Sequence, residues 1–125
     1  MKSGLAILLW VTGPDQPHLC ATPFVHAAAA AALDIDVEVH FAGKSVTLLV
    51  PGVAAALCPG AAGSPSVYDR MRTASGYGAR FLACSDALDA CAIDRARLMA
   101  ECSGVAGAVA FLDRALDPAW AALVF

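Results

Sequence analysis

An α/β fold is what this sequence predicts: a three-layer α/β/α sandwich around a mainly parallel sheet of about five strands. Three observations carry that expectation. Residues 4–11, GLAILLWV, hold no charged group and read as a central strand buried on both faces. Residues 36–41, DVEVHF, alternate cleanly, which puts Val37, Val39 and Phe41 on one face and His40 on the other. Segments of strand length then alternate with alanine-rich or capped helical segments, the order that produces crossover connections and parallel pairing.

The elements follow in order. After the first strand, TGPDQP (12–17) is a loop punctuated by Gly13, Pro14 and Pro17. An alanine-rich helix runs from His18 to Leu33, with Pro17 suited to its entry. Residues 43–52, GKSVTLLVPG, are compatible with a strand, a short helix or a turn. Residues 51–66 form a long loop rich in Gly, Pro, Ala and Ser, with room for one helical turn at 53–57. Ser66 followed by Asp69 marks a helix start, and that helix ends at Gly76. Residues 80–83 are the third strand and 85–91 a short helix. Asp94 caps a further helix over 95–101. Residues 104–105 are a short strand or turn, 107–116 a last helix and 120–125, WAALVF, a closing strand. With no repeat and no linker, residues 1–125 read as a single domain.

The totals narrow the function classes. The 125 residues are 59% hydrophobic and 15% charged, an apolar balance that points to surface buried against other subunits. A net charge of -3 with no basic run argues against nucleic acid as a partner. The apolar stretch near the N-terminus is short and lacks a small-x-small cleavage site, so it reads as a strand rather than a signal peptide. No run approaches the length of a membrane span. A cytoplasmic location with reduced thiols is the resulting expectation.

Cys20, Cys58, Cys84, Cys91 and Cys102 are odd in number and form no C-x-x-C pair, which gives little support to a metal site, an iron–sulfur cluster or a redox dithiol. Most free cysteines are buried packing residues, so position must single out a functional one. In parallel α/β sheets ligands collect at the carboxyl ends of strands. That rule selects Thr12 and Gly13 with their loop after the first strand, and Cys84, Ser85 and Asp86 after the third. At a strand-to-helix junction the Cys84 sulfur faces unpaired N–H groups and the positive end of a helix dipole, which stabilise a thiolate. Asp86 and Asp89 act in the opposite sense. Cys91 lies two helical turns on, about 10 Å away, out of disulfide reach while that helix is intact. It reads as core, Cys20 as packing, and Cys102 has no distinguishing context. His18 and His26 read as capping or snorkelling groups, and His40 as a satisfied sheet histidine.

Taken together, AILLWVTGPDQP, PFVHAAAAAAL, DVEVHFAG, VYDRMRTASGYGARFLACSDAL and GVAGAVAFLDRAL…LVF resemble the DsrE/DsrF-like family of small sulfur-relay proteins in order and spacing. The resemblance implies an α/β fold assembled as a homotrimer or homohexamer. It also implies a cysteine at the end of a mid-chain strand, here Cys84, that carries sulfane sulfur as a persulfide between a donor and an acceptor protein. No metal or organic cofactor is required by that chemistry. In this reading the N–H groups of Ser85 and Asp86 stabilise the anion, and Thr12 and Gly13 form the opposite wall. Two alternatives stand beside it. One is an oligomeric binding or scaffold subunit without chemistry. The other is a thiol redox sensor in which loop 51–66 brings Cys58 to Cys84.

Overall fold

The computed structural model describes residues 2–125. Along the chain lie β1 (Gly4–Leu9), α1 (Ala21–Ala32), β2 (Asp36–Phe41), α2 (Val67–Gly76), β3 (Arg80–Cys84), α3 (Ser85–Ala90), β4 (Cys102–Ala106), α4 (Ala108–Ala115) and β5 (Trp120–Val124). Every strand pair is parallel, in the order β4-β3-β2-β1-β5. This is the three-layer α/β fold that the alternation of segments predicts.

Strand order determines which face each helix covers. A crossover between parallel strands is right-handed, so successive steps in one direction place their helices on one side of the sheet. The chain steps from β1 to β2, β3 and β4, and α1, α2 and α3 share one side. It then returns past all of them to β5, and α4 falls on the other side. On the first side Ile7, Leu9, Val37, Val39, Phe41 and Phe81 pack against Phe24, Met71 and Leu88, all fully or almost fully buried. The rings of Phe24, Phe41 and Phe81 meet at centroid distances of 5.5–5.9 Å. Side-chain alternation sends Leu8, Glu38, His40, Leu82 and Cys84 to the α4 side.

Several local expectations shift in the folded chain. The first helix is preceded by a separate 3-10 turn, Pro17–Leu19, with Cys20 as the cap between them. Residues 43–49, compatible from sequence with strand or helix, form a 3-10 helix. Gly43 enters it with φ +55, and the Ser45 hydroxyl reaches the carbonyls of Leu9 and Ala42, which ties the segment to the end of β1. The expected helix over 95–101 is only one turn, Arg95–Arg97. Leu98 is extended and the Met99 N–H bonds to the Leu49 carbonyl, so tertiary pairing ends the helix after that turn. Residues 104–105 belong to a full edge strand, β4. Its pairing with β3 is irregular at Ser103, whose hydroxyl accepts the Phe81 N–H.

Gly4 is required by what lies above it. A Cβ there would fall inside the indole of Trp120, the first residue of the neighbouring β5. Gly4→Ala is expected to destabilise the fold by roughly 1–3 kcal/mol through overpacking, measured as a lower urea midpoint.

Candidate functional site

Cys84 is at once the last residue of β3 and the cap of α3, with extended backbone at φ -70 and ψ 125. It is half-buried, and its sulfur makes no hydrogen bond to any described residue. The connection after β3 turns to the α3 side of the sheet, whereas the connection after β4 turns to the α4 side. The chain therefore parts between two neighbouring strands, and a crevice opens at their carboxyl ends, as expected at a topological switch point. Cys84 opens into it.

The crevice is a cavity of about 310 Å³ floored by Leu8, His40, Ala42, Leu82 and Cys84 and roofed by residues 106–108, Phe111 and Leu112. Among those side chains only the Cys84 thiol and the His40 imidazole carry a heteroatom. Ser85 and Asp86 follow Cys84 at the start of α3, where the first N–H groups of a helix lack intrahelical acceptors, and the Cys84 side chain makes no cap hydrogen bond to them. A hollow of about 410 Å³ between α1 and α2 contains Asp69, Arg70 and Arg72 but no thiol or imidazole.

Beneath His40 lies a buried ion cluster. Glu38 is 4% exposed, yet it faces three donors. Arg114 on α4 grips the carboxylate with a fork, Nη2 at 3.0 Å and Nε at 3.3 Å. Arg80, its neighbour in register on β3, adds a bond of 2.9 Å. The His40 Nε2 completes the set at 3.2 Å from Oε1. Burial by itself would raise the Glu38 pKa, but the bonds from Arg114 and His40 and the two arginine charges outweigh it and hold the carboxyl below its ordinary value. Burial, with the charges of Arg114 and Arg80, lowers the His40 pKa more than the bond and charge of Glu38 raise it, so the imidazole is neutral at pH 7. Since ionised Glu38 can only accept, Nε2 carries the hydrogen. The Arg114 guanidinium also lies over the Trp120 ring, 4.3 Å from its centroid. His40 meets the Phe111 ring edge-on at 5.4 Å.

Thr12 and Gly13, expected as the opposite wall, are elsewhere. Neither lines the cavity, because β2 intervenes between β1 and β3 and presents Ala42 there instead. The Gly13 carbonyl instead accepts the fully buried Cys20 thiol at 3.3 Å, and burial followed by the Asp15 charge raises the pKa of that thiol. Cys58 is exposed, and no residue of 51–66 borders the cavity. Cys91 packs beside the core, as expected, and Cys102 directs its sulfur to the carbonyls of Gly104 and Phe81. His26 donates to the Thr22 carbonyl at 2.9 Å. Among the described residues no three His, Cys, Asp or Glu side chains converge as metal ligands. No helix is long and apolar enough to cross a membrane.

The sequence reading missed Glu38 altogether and left His40 as a structural histidine. The signal was present in DVEVHF. Alternation puts Glu38 and His40 on one face of an internal strand, where a carboxylate must find a cation.

The family model described as DsrE/DsrF-like family matches residues 6–125. A search of curated proteins finds no match. Among solved structures, MTH1491 of Methanobacterium thermoautotrophicum, described as a protein of unknown function, is 19% identical with a TM-score of 0.66. The ychN protein of E. coli is 15% identical with a TM-score of 0.68. Each comparison covers 100% of both chains. At such identities the likeness speaks for the fold alone.

Proposed function

This chain belongs to the DsrE/DsrF-like family, and from that premise we propose that it is a sulfur-relay protein carrying sulfane sulfur as a persulfide on Cys84. One observation carries the reading: Cys84 is the only thiol among the residues lining the cavity at the switch point. Thiol–persulfide exchange needs a thiolate, an open approach and no cofactor. The thiolate attacks the outer sulfur of a donor persulfide, the donor thiol departs, and the bound sulfur is later taken by an acceptor thiol. The N–H groups of Ser85 and Asp86 stabilise the sulfur anion. A neutral, polarisable sulfur atom suits a wall of leucine, alanine and phenylalanine.

The same reading includes a homotrimer or homohexamer, with a protein as sulfur donor or acceptor. Val109 and Leu112 on α4 and Leu116 at its C-terminal cap are 83%, 51% and 79% exposed, an apolar stripe that association would cover. Because α4 roofs the cavity, the site would lie beside that interface. Intact mass after exposure to a small persulfide donor, with Cys84→Ser as the control, tests the chemistry. Light scattering tests the assembly.

A further inference from the structure

His40 has one ring nitrogen committed and one free. Nε2 is bound to Glu38, whereas Nδ1 has no hydrogen-bond partner among the described residues. The ring is 5% exposed and lines the same cavity as the Cys84 sulfur. Register places His40 opposite Leu82, two residues before Cys84 on the same face. No hydrogen bond joins imidazole and thiol, and both border the one cavity of about 310 Å³. Both cations near the site, Arg80 and Arg114, are bound to Glu38, and no charged residue lines the cavity.

We propose that His40, oriented by Glu38, is the proton acceptor of the Cys84 site, and that the cavity between them takes a small uncharged hydropersulfide as sulfur donor. This rests on the sulfur-carrier reading and supplies its substrate class. The donor R–S–SH is electrophilic at its outer sulfur only while uncharged, since the anion carries its charge on that atom. An apolar cavity without a free cation favours the neutral form.

The step balances without an oxidant or reductant. His40 Nδ1 takes the proton of Cys84–SH. A lone pair of the thiolate forms a bond to the outer sulfur of R–S–SH. The donor S–S bond breaks and its electron pair departs on R–S⁻, which recovers the proton from His40 and leaves as R–SH. Cys84–S–SH remains. Fixing the tautomer through Nε2 is what leaves Nδ1 able to accept.

The test follows Cys84 by peptide mass in two reactions, alkylation by iodoacetamide and sulfur loading from a short-chain alkyl hydropersulfide, each across pH. His40→Gln is the variant, because its amide preserves a donor for Glu38. The groups facing His40 are Glu38 on its own strand, Arg80 and Cys84 on β3 and Arg114 on α4, while β1 presents only uncharged Leu8. In the wild type, alkylation is expected to stay level as pH falls from about 8 to about 6.5, below the ordinary pKa of a free thiol. His40→Gln is expected to be slower by about 10²-fold at neutral pH. The difference should close above about pH 9, where the thiol ionises unaided. Loading by the alkyl hydropersulfide should outpace loading by glutathione hydropersulfide, which is larger and charged. A wild-type profile that itself rises only near the free-thiol pKa overturns the role of His40, even if the variant fails to fold. Equal profiles in both proteins, with loading intact, overturn His40 alone. Faster loading by glutathione hydropersulfide overturns the substrate class. A wild type that takes up no sulfur overturns the carrier reading together with the substrate assigned here.

Discussion

Reduced protein treated with a small persulfide donor is expected to gain the mass of one sulfur at Cys84, removable by dithiothreitol, while Cys84→Ser gains none at that position. The effect should be complete, because a serine hydroxyl remains protonated at pH 7 and forms no persulfide. Peptide mapping is needed, since Cys58 is exposed and open to side reaction. Cys20 should remain unmodified in the folded protein. It is fully buried, its thiol donates to the Gly13 carbonyl, and burial raises its pKa. The outcomes separate the competing readings. A sulfur increment that persists in Cys84→Ser excludes a carrier based on this residue. Loss of two hydrogens with a Cys58–Cys84 crosslink indicates a redox sensor, which would require residues 51–66 to leave their place in the fold. No mass change at Cys84 indicates a binding subunit.

Glu38→Ala is expected to cost about 3 kcal/mol, a fall in Tm of roughly 10 °C for a domain of this size. The carboxylate ties β2 to β3 through Arg80 and to α4 through Arg114. Its removal leaves a buried His40 donor without an acceptor and frees α4 from the sheet. The figure lies at the lower end for a broken buried pair because both arginines are partly exposed and can turn to water. Acid acts on the same cluster. Glu38 and His40 both titrate lower in the fold than when unfolded. Each therefore contributes stability that is complete above its unfolded pKa and is lost as pH falls towards its folded one. Thermal melts should decline first below about pH 6.5, as the unfolded histidine takes up a proton, and again below about pH 4.3, as the carboxylate does. In Glu38→Ala the second decline should be smaller, what remains coming from Asp15 and Asp69, whose bonds to Lys44 and to Ser66 also hold their carboxyls low. If it melts like the wild type across this range, Glu38 does not hold α4 to the sheet.

What was legible from the sequence rests on local physics. The pair Ser66 and Asp69 predicts a capping box, and both reciprocal bonds form, at 3.0 and 2.9 Å. Strict alternation in DVEVHF marks β2, and the unbroken apolar run marks β1 as central. The strand-to-helix junction at Cys84 can be read from the end of one period and the start of another. Such signals are carried within a few residues of themselves. Where local signals were ambiguous, as over 43–52, or too weak, as after Asp94, tertiary contacts decided the outcome. Ser45 bonds to Leu9 across the fold and fixes 43–49 as a 3-10 helix, and Met99 pairs with Leu49 and cuts the helix after Asp94 to one turn.

The sequence alone determined the class of fold, most of its elements and the candidate thiol. Only the tertiary structure decided what stands beside that thiol. The order β4-β3-β2-β1-β5 puts β2 between Thr12 and Cys84, removes Thr12 and Gly13 from the site and brings in His40 with Glu38 beneath it. The return past three strands to β5 places α4 over that face and Arg114 on Glu38. Neither arrangement has a local signal, because Glu38 and Arg114 are 76 residues apart and meet only when strand order and register are set.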